Sequence, residues 1–301
     1  MGGKRGIAYE LMLAMVQRHP NAKYFFDMFG GGGSMSMMAL QFGFKVNYNE
    51  FCSHPYTVLK YVWENGVPAE WWGWVSREDF ADALTKDDPR SCMIRYVWSF
   101  GNNGRDYMFG ADREELKRLC HAVVVFRDKD ALNKVCEVLG IKLRIPAGAT
   151  VTARAASWHR QLNIVRKGCV WEIKQLEQLE QDAGRMQQLE RLTFTNLSYD
   201  AVEITTPPEE TIVYCDPPYR STRGYVSNGQ SEGVFSTEYF DNWVRNCPYP
   251  VYISEYSAPF EKIFSLLKRE MLNSARTGDK NLKSENLYWN GVRAGLAEAS
   301  R

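Results

Sequence analysis

The chain has none of the features that mark a secreted, zinc-bound or membrane-spanning protein. Its seven cysteines are scattered along 301 residues, and no two of them form a Cys-x-x-Cys pair. That spacing argues against a disulfide framework and a zinc cluster, so we expect reduced thiols and a cytoplasmic protein. No apolar run approaches the roughly 18 residues of a membrane-spanning helix, and the first residues lack a signal-peptide pattern, so neither segment is expected.

The overall charge is uninformative, because 37 basic and 36 acidic residues leave a net charge of +1. Such a balance neither indicates nor excludes a charged partner. The composition does support a sizeable core, since 45% of the residues are hydrophobic and 13% are aromatic. The length suits one large domain or two ordinary ones.

The two ends of the chain alternate between helix and strand, whereas the middle is mostly helical. Apolar residues at helical spacing and short aromatic or β-branched runs give this division. The exception in the middle is a strand-like apolar run at 122–126. The predicted strands are 23–29, 44–50, 211–215, 250–254 and 285–290, and the predicted helices of the two ends are 5–18, 34–43, 54–65, 237–246 and 258–270.

This alternation predicts an α/β fold, with one sheet built from both ends of the chain and the helical middle as a separate lobe. We expect one domain from residues 1–65 and 196–301, and an inserted helical domain from residues 66–195. Near the start, the order strand, glycine loop, helix, strand and acid is typical of a mononucleotide-binding half.

A glycine run, Gly30 to Gly33, lies between the first predicted strand and the next helix. A phosphate-binding P-loop needs Lys-Ser or Lys-Thr after the last glycine, and Ser34 and Met35 stand there instead. Glu50 ends the next strand about twenty residues on, which is the spacing of a carboxylate that binds ribose hydroxyls. The loop and the acid together indicate a nucleoside cofactor, and a flexible turn is the alternative.

The run Tyr-Cys-Asp-Pro-Pro-Tyr, from Tyr214 to Tyr219, overlaps the end of the strand predicted at 211–215. Two consecutive prolines end a strand abruptly, because each locks φ and lacks a backbone donor. Asp216 is therefore expected at the end of a strand, with Tyr219 just beyond it in a stiff turn. Taken alone, a stiff turn with a capping aspartate would be an ordinary structural feature.

Together, these stretches resemble the Dam-like, alpha-group adenine-specific DNA methyltransferases. The order of the motifs also matches that family, with the cofactor loop first, a helical insert next and the Asp-Pro-Pro-Tyr motif last. The matching stretches are Gly-Gly-Lys-Arg-Gly at 2–6, the glycine loop at 25–34, Asn-Glu-Phe at 49–51, Asp-Pro-Pro-Tyr at 216–219, and 100–110, which resembles a loop that opens the family's target-recognition region.

The resemblance implies a Rossmann-like sheet that binds S-adenosylmethionine, with the helical insert as the target-recognition domain. The chain departs from the family pattern at Met28, where proline is usual, and at residues 198–200, where the family has an acid followed by an aromatic residue. Lys4 could alternatively be an ordinary surface lysine. The residues implied for catalysis are Asp216, Pro217, Pro218 and Tyr219, and those implied for the cofactor are Lys4, Asp27, Phe29, Gly30, Gly31, Gly32, Gly33, Glu50, Ser198 or Asp200, Tyr199 and Asp216.

The resemblance also gives the Asp-Pro-Pro-Tyr turn a chemical use. The amino group of adenine is a poor nucleophile, because its lone pair is delocalised into the ring. The carboxylate of Asp216 and the carbonyl of Pro217 would accept its hydrogens and make the nitrogen more electron-rich as it attacks the methyl sulfonium. Tyr219 would stack on the flipped base, an interaction of about 1–3 kcal/mol. This chemistry needs no metal, and none is expected.

The predicted DNA contacts lie in the insert and just after the catalytic turn. Between Lys142 and Trp171 the chain has basic residues and no acid. This pattern is typical of a phosphate-contacting surface, and also of an ordinary solvated face. The predicted contacts with double-stranded DNA are Asn102, Asn103, Arg105, Arg144, Arg154, Arg160, Arg166, Lys167, Arg220 and Arg223.

The leading hypothesis is a site-specific enzyme that transfers a methyl group from S-adenosylmethionine to N6 of adenine in DNA. One alternative is methylation of the cytosine amino group, N4, to which the same chemistry applies. Another is a catalytically silent DNA-binding protein with the same fold. A nucleotide hydrolase is disfavoured, because Lys-Ser or Lys-Thr is missing after the glycine run. The resemblance leaves open whether the enzyme partners a cognate restriction enzyme or marks DNA in a bacterial or phage-infected cell.

Overall fold

The structure is a computed structural model, and the part of the chain that it describes is mixed α/β. The chain divides into two compact units. The sheet unit joins Gly2–Tyr56 with Leu189–Arg301, and the helical unit is the intervening stretch Thr57–Gln188. The described residues are 4–162, 170–186, 190–218, 235–269 and 282–294.

Seven strands among the described residues form one sheet in the sheet unit. They are β1 (Tyr24–Asp27), β2 (Lys45–Asn49), β3 (Leu192–Thr195), β4 (Thr211–Cys215), β5 (Val251–Glu255), β6 (Glu261–Arg269) and β7 (Leu282–Trp289). Their order across the sheet is β3-β2-β1-β4-β5-β7-β6. Neighbours from β3 to β5 are parallel, whereas β7 runs antiparallel to both β5 and β6. This arrangement confirms the predicted α/β fold with one sheet built from both ends of the chain.

Helices flank the strands in the sheet unit and make up most of the helical unit. The described helices are α1 (Ala8–Arg18), α2 (Ser34–Gln41), α3 (Ser53–Asn65), α4 (Arg77–Ala83), α5 (Pro89–Val97), α6 (Glu114–Phe126), α7 (Lys129–Leu139), α8 (Val151–Gln161), α9 (Trp171–Met186) and α10 (Thr237–Asn246). None of these described helices combines the length and apolar character that crossing a membrane requires.

The central strands β4 and β5 are mostly apolar, although β5 ends in Ser254 and Glu255. Every residue of β4 and of β5 is buried, which is typical of parallel strands covered on both faces. Phe26 of β1 and Val213 of β4 share a core with Phe240 and Val244 of α10. Helix α10 therefore packs against one face of the sheet.

Some predicted elements are wrong. Residues 258–270 were expected to be a helix, but they contain strand β6, which pairs antiparallel with β7. Backbone pairing with β7 overrides the helix-like apolar spacing of that stretch. The strand-like run at 122–126 is the last turn of α6. Strand β3 falls inside the expected insert at 66–195, and its pairing with β2 explains why the sheet unit resumes before residue 196.

The side chain of His121 on α6 is buried in the helical unit. One ring nitrogen, Nε2, lies 2.8 Å from the carbonyl oxygen of Trp72, and the other, Nδ1, lies 2.9 Å from Oε1 of Glu172. The rings of Trp74 and Trp98 contact the same imidazole. His121 therefore serves the packing of this unit.

Candidate active site

Two carboxylates lie at the carboxyl edge of the sheet, where two adjacent parallel strands end. Asp27 is the last residue of β1, and Asp216 directly follows β4. The two strands stay paired to this point, since the backbone N of Met28 donates to the carbonyl of Tyr214 over 2.9 Å. The sheet extends from β1 toward β2 on one side and from β4 toward β5 on the other. Ligands of open α/β sheets bind in the crevice at such a reversal of strand order.

Asp216 is held by a buried lysine. Nζ of Lys4 lies 2.9 Å from Oδ1 of Asp216 and 2.6 Å from Oε1 of Glu285 on β7. The side chain of Lys4 is only 4% exposed, whereas that of Asp216 is 24% exposed. Burial lowers the pKa of Lys4, but its ion pairs with Asp216 and Glu285 outweigh burial and raise that pKa above its ordinary value. Lys4 is therefore a buried cation, and its interpretation as a surface lysine is wrong.

The two carboxylate oxygens of Asp27 differ in their hydrogen bonding. Oδ2 accepts from the backbone N of Ser36 over 3.1 Å and from its hydroxyl over 2.7 Å. Oδ1 is buried and has no hydrogen-bond partner among the described residues. Burial raises the pKa of the Asp27 carboxyl to about 7, against the hydrogen bonds from Ser36. A buried oxygen without a partner suits a ligand that brings a positive charge or a donor.

The glycine loop is ordered by its neighbours on β2. The backbone N of Gly30 donates to the backbone carbonyl of Asn49 over 2.8 Å, and the hydroxyl of Tyr48 donates to the carbonyl of Gly31 over 2.8 Å. A Cβ on Gly30 would lie 2.2 Å from Cε2 of Tyr48, so this glycine is needed for packing against the Tyr48 ring. Gly31 and Gly33 adopt φ of 50° and 73°, in the left-handed region that favours glycine. Gly32 between them is half-buried.

Glu50 contacts the glycine loop directly. Its Oε2 accepts from the backbone N of Gly31 over 2.7 Å, and its Oε1 accepts from the backbone N of Cys52 over 2.8 Å. Burial raises the pKa of Glu50, and these two hydrogen bonds oppose that shift. Each carboxylate oxygen has a second lone pair. Glu50 can therefore order the loop and still accept hydrogen bonds from a ligand.

Aromatic rings form a wall beside the loop. Phe29 stacks on Tyr199 with ring centroids 5.3 Å apart, and Tyr199 also meets Phe240 at 5.3 Å. The hydroxyl of Ser198 donates to Asp200, which also accepts from the hydroxyl of Tyr239 over 3.1 Å. Ser198 and Asp200 are thus bonded to each other, so the two alternatives for this position form a single polar group.

Pro217 and Pro218 line a small cavity behind the end of β4. The other lining residues are Phe235, Thr237, Phe240, Ile253 and Glu255. The cavity is mostly apolar with one acid, and Asp216 is the residue that precedes its proline wall. Tyr219, predicted as the stacking residue, lies outside the described residues.

Sequence reasoning missed several residues that shape this site. Glu285 and Ser254 anchor Lys4 from β7 and β5, Tyr48 fills the space next to Gly30, and Ser36 holds Asp27. Ser36 had a detectable signal, because a hydroxyl in the first turn of a helix often binds a preceding acid or backbone group. Glu285 had none, since it is 281 residues away from Lys4.

In the helical unit, part of the predicted DNA-binding set is exposed. Arg144 and Arg160 are exposed, and so is Arg105 in the loop at 100–110. Gln161, next to Arg160, bonds the backbone of Arg144 twice, with Oε1 accepting from its N over 2.9 Å and Nε2 donating to its O over 3.1 Å. These bonds hold the loop that carries Arg144 against the end of α8. Arg144 and Arg160 therefore belong to one basic patch.

Two other predicted DNA contacts are engaged inside the protein. The guanidinium of Arg154 is buried and donates to the backbone carbonyls of Val124 and Val125 at the end of α6, over 2.7 and 3.0 Å. Its prediction as a phosphate contact is wrong, because it stabilises that helix end instead. Asn103 donates to Asp106 over 2.7 Å and accepts from the backbone of Arg105 and Asp106, so it orders its own loop.

The remaining candidates cannot be placed in the fold. Arg166, Lys167, Arg220 and Arg223 lie outside the described residues, as does the side chain of Asn102.

A comparison with protein families finds one match that spans most of the chain. The matching family model is described as D12 class N6 adenine-specific DNA methyltransferase, and it covers residues 1–277. The matched stretch includes every residue of the carboxylate and glycine-loop site except Glu285 and the rest of β7. A search of curated proteins finds no significant match to the chain.

Proposed function

Because the chain belongs to the D12 class N6 adenine-specific DNA methyltransferases, we propose that Asp216 is the acceptor for the adenine amino group and that S-adenosylmethionine is the methyl donor. The family assigns the reaction, which is methylation of N6 of adenine in DNA. The proposal concerns which residues of this chain perform it. The observation that carries it is the carboxylate of Asp216, ion-paired with Lys4 at 2.9 Å and partly exposed beside the end of β1.

The described residues suit S-adenosylmethionine by their charge and their hydrogen-bonding capacity. This cofactor is cationic at its sulfonium and its amino group, and it supplies an electrophilic methyl group when bound. Oδ1 of Asp27 is a buried acceptor without a partner among the described residues. Glu50 offers acceptors for ribose hydroxyls, and the wall of Phe29 and Tyr199 offers an apolar surface to a nucleoside. We propose these residues, with Gly30 to Gly33, as the cofactor site.

Asp216 suits the chemistry of the amino group. The amine must become more electron-rich to attack a methyl carbon, and an ionised acceptor against its hydrogens has that effect. Lys4 favours the ionised form of Asp216, and the prolines that follow restrict the backbone. The carbonyl of Pro217 is the proposed second acceptor, and Tyr219 is the proposed stacking surface for the base.

We also propose that the substrate is duplex DNA and that the target adenine is flipped out of the helix. A base inside a duplex cannot reach a carboxylate at the edge of a sheet, and extrusion costs a few kcal/mol. The helical unit is the proposed target-recognition domain, with Arg105, Arg144 and Arg160 as exposed phosphate contacts. The cytoplasm of a bacterial or phage-infected cell would provide both DNA and the cofactor.

The variant Asp216→Ala tests the assignment. It should abolish methyl transfer to DNA, while binding of S-adenosylmethionine, measured by calorimetry, largely survives. Full methyl transfer by this variant would contradict the assignment. Matched duplex and single-stranded oligonucleotides test the substrate, and we expect faster transfer to the duplex.

We also propose a cognate restriction enzyme, which cleaves the unmethylated site, as the functional partner of this protein. Plasmid DNA isolated from cells that produce the protein should resist cleavage by a nuclease that reads the same site. Cleavage at every methylated site would argue for a role in marking DNA instead.

A further inference from the structure

The buried cluster at the end of β4 has more acid than an ion pair requires. Lys4 carries one positive charge, and Asp216 and Glu285 carry one negative charge each, so the three side chains sum to −1. A single carboxylate already balances the charge of a buried ammonium ion, whose desolvation must also be offset by hydrogen bonds. The second carboxylate therefore has a use beyond neutralising Lys4.

Glu285 is the more firmly anchored of the two acids. Its side chain is 3% exposed, and its Oε1 lies 2.6 Å from Nζ of Lys4, closer than Asp216 at 2.9 Å. The hydroxyl of Ser254 on the neighbouring strand β5 donates to the same oxygen over 3.0 Å. Ser254 is itself fully buried. Two paired strands thus fix Glu285, whereas Asp216 follows the end of its strand.

We propose that Glu285 is a positioning residue of the methyl-transfer reaction, which fixes Lys4 so that this cation orients the carboxylate of Asp216 at the edge of the sheet. The inference rests on the proposed role of Asp216. Because Lys4 divides its charge between two acids, Asp216 keeps its strength as an acceptor. The net negative charge of the cluster also suits a cationic methyl donor.

The charged and titratable groups that act on Asp216, among the described residues, come from four elements. Lys4 comes from the short helix at Lys4–Gly6, Glu285 from β7, Asp27 from β1, and Tyr214 and Cys215 from β4. Lys4 is the cation in this set, and Asp27 and Glu285 are the acids. Removing Lys4 or Glu285 should therefore move the protonation of Asp216 in opposite directions.

The test is single-turnover methyl transfer over a pH series, with S-adenosylmethionine affinity measured separately. Glu285→Gln keeps the size of the side chain and removes its charge. Lys4 then loses one of the two carboxylates that it pairs with among the described residues, so the rate should fall by about 10- to 100-fold, as expected when a reacting group is misplaced or weakened. Affinity for the cofactor should change much less. The acid limb of the rate profile should move to lower pH, because the paired carboxylate holds its proton less tightly.

Lys4→Met should move the acid limb the other way. Without the cation, Asp216 faces the negative charge of Glu285 and is protonated more readily, so the limb moves to higher pH. Combining Lys4→Met with Glu285→Gln should return the limb toward its wild-type position, since the repelling charge is also gone. A residue with a purely structural role would lower thermal stability without these opposed shifts.

The matched control is Glu261→Gln, the same chemical change on the exposed side chain of Glu261 in strand β6. This variant should leave the rate and the pH profile unchanged. Should Glu285→Gln fail to fold, Ser254→Ala, which removes one hydroxyl from the anchor, should give a smaller rate loss of the same kind. A wild-type rate and pH profile in Glu285→Gln, with Asp216→Ala inactive, would overturn the inference and leave the proposed function standing. Full activity in Asp216→Ala would instead overturn the proposed function.

Discussion

Both compact units bury polar or ionisable side chains, but the surroundings of those side chains differ. In the helical unit, the side chains of His121 and Glu172 are 1% and 0% exposed. The guanidinium of Arg154 donates hydrogen bonds to backbone carbonyls at the end of α6. In the sheet unit, the buried side chain of Lys4 forms an ion pair with Asp216, which is 24% exposed. A buried charge by itself therefore does not mark a site. A site needs a buried charge that holds an accessible reactive group.

The strongest test of this comparison exchanges one carboxylate in each unit for its amide. Asp216→Asn should lower the methyl-transfer rate by about 10²- to 10⁴-fold, the usual range for loss of a positioned acid or base group. Its thermal unfolding should change little, because Asp216 is partly exposed and Glu285 remains paired with Lys4. Glu172→Gln should instead lower the free energy of unfolding by about 1–3 kcal/mol, because a buried acceptor pairing with His121 is altered.

Rates measured well below the unfolding temperature separate the two effects. If Glu172→Gln lost activity as severely as Asp216→Asn while still folded, the contrast between the two units would be wrong.

The second test uses Asp27 and the pH dependence of cofactor binding. Burial raises the pKa of Asp27 to about 7 in the unliganded protein. A cationic ligand favours the ionised form, so binding should be tight above pH 7, weaken as pH falls below it, and release a proton near neutrality. Calorimetry in buffers of different ionisation enthalpy measures that proton.

Asp27→Asn removes this titration. Hydrogen bonds to charged groups contribute about 1.5–3 kcal/mol, so affinity at high pH should fall by roughly 10- to 150-fold. Its affinity should then be nearly independent of pH. An unaltered pH dependence in the variant would assign the titration to another group.

The third test compares one glycine from each unit. Gly30→Ala in the sheet unit places a Cβ 2.2 Å from the ring of Tyr48, and overpacking of this kind costs about 1–3 kcal/mol. Because Gly30 also begins the cofactor loop, we expect weaker binding of S-adenosylmethionine as well. Gly140→Ala at the end of α7 changes a residue with φ of 65° and open space around it. Gly140→Ala should lower the stability of the protein without weakening cofactor binding. Thermal unfolding of each variant, with and without S-adenosylmethionine, measures the two effects.

The smallest expected effect is on DNA binding, and it should distinguish the exposed Arg160 from the buried Arg154 in the helical unit. Arg160→Ala should weaken DNA binding and reduce the slope of log affinity against log salt by about one, without changing stability. Arg154→Ala should lower stability, since it leaves buried carbonyls unpaired, and should keep the wild-type salt slope. Filter binding over a salt series distinguishes them, and equal slopes for all three proteins would remove Arg160 from the DNA surface.

The residues that could be predicted from the sequence are those with local signals. Glu50 and Asp216 each stand at the end of a predicted strand, and the topology of parallel strands brings such ends to one edge. Asp27 lies inside the strand predicted at 23–29, and the family resemblance alone assigned it to the cofactor. The position of Asp216 after β4 was predictable because Pro217 and Pro218 end the strand.

What could not be predicted depends on distant contacts. Glu285 meets Lys4 across 281 residues, and its sequence neighbours read as an ordinary strand. The stretch 258–270 has helix-like spacing, and only pairing with β7 makes it a strand. Arg154 looks like its exposed neighbours, and its burial follows from the packing of α8 against α6 rather than from any local pattern.

The most direct measurement of the proposed reaction is transfer of labelled methyl from S-adenosylmethionine to unmodified DNA, followed by digestion to nucleosides and mass spectrometry. We predict N6-methyladenine as the labelled nucleoside with the wild-type protein, and no labelled nucleoside with Asp216→Ala. Label on the cytosine amino group, or the same yield of N6-methyladenine from Asp216→Ala as from the wild type, would contradict this prediction.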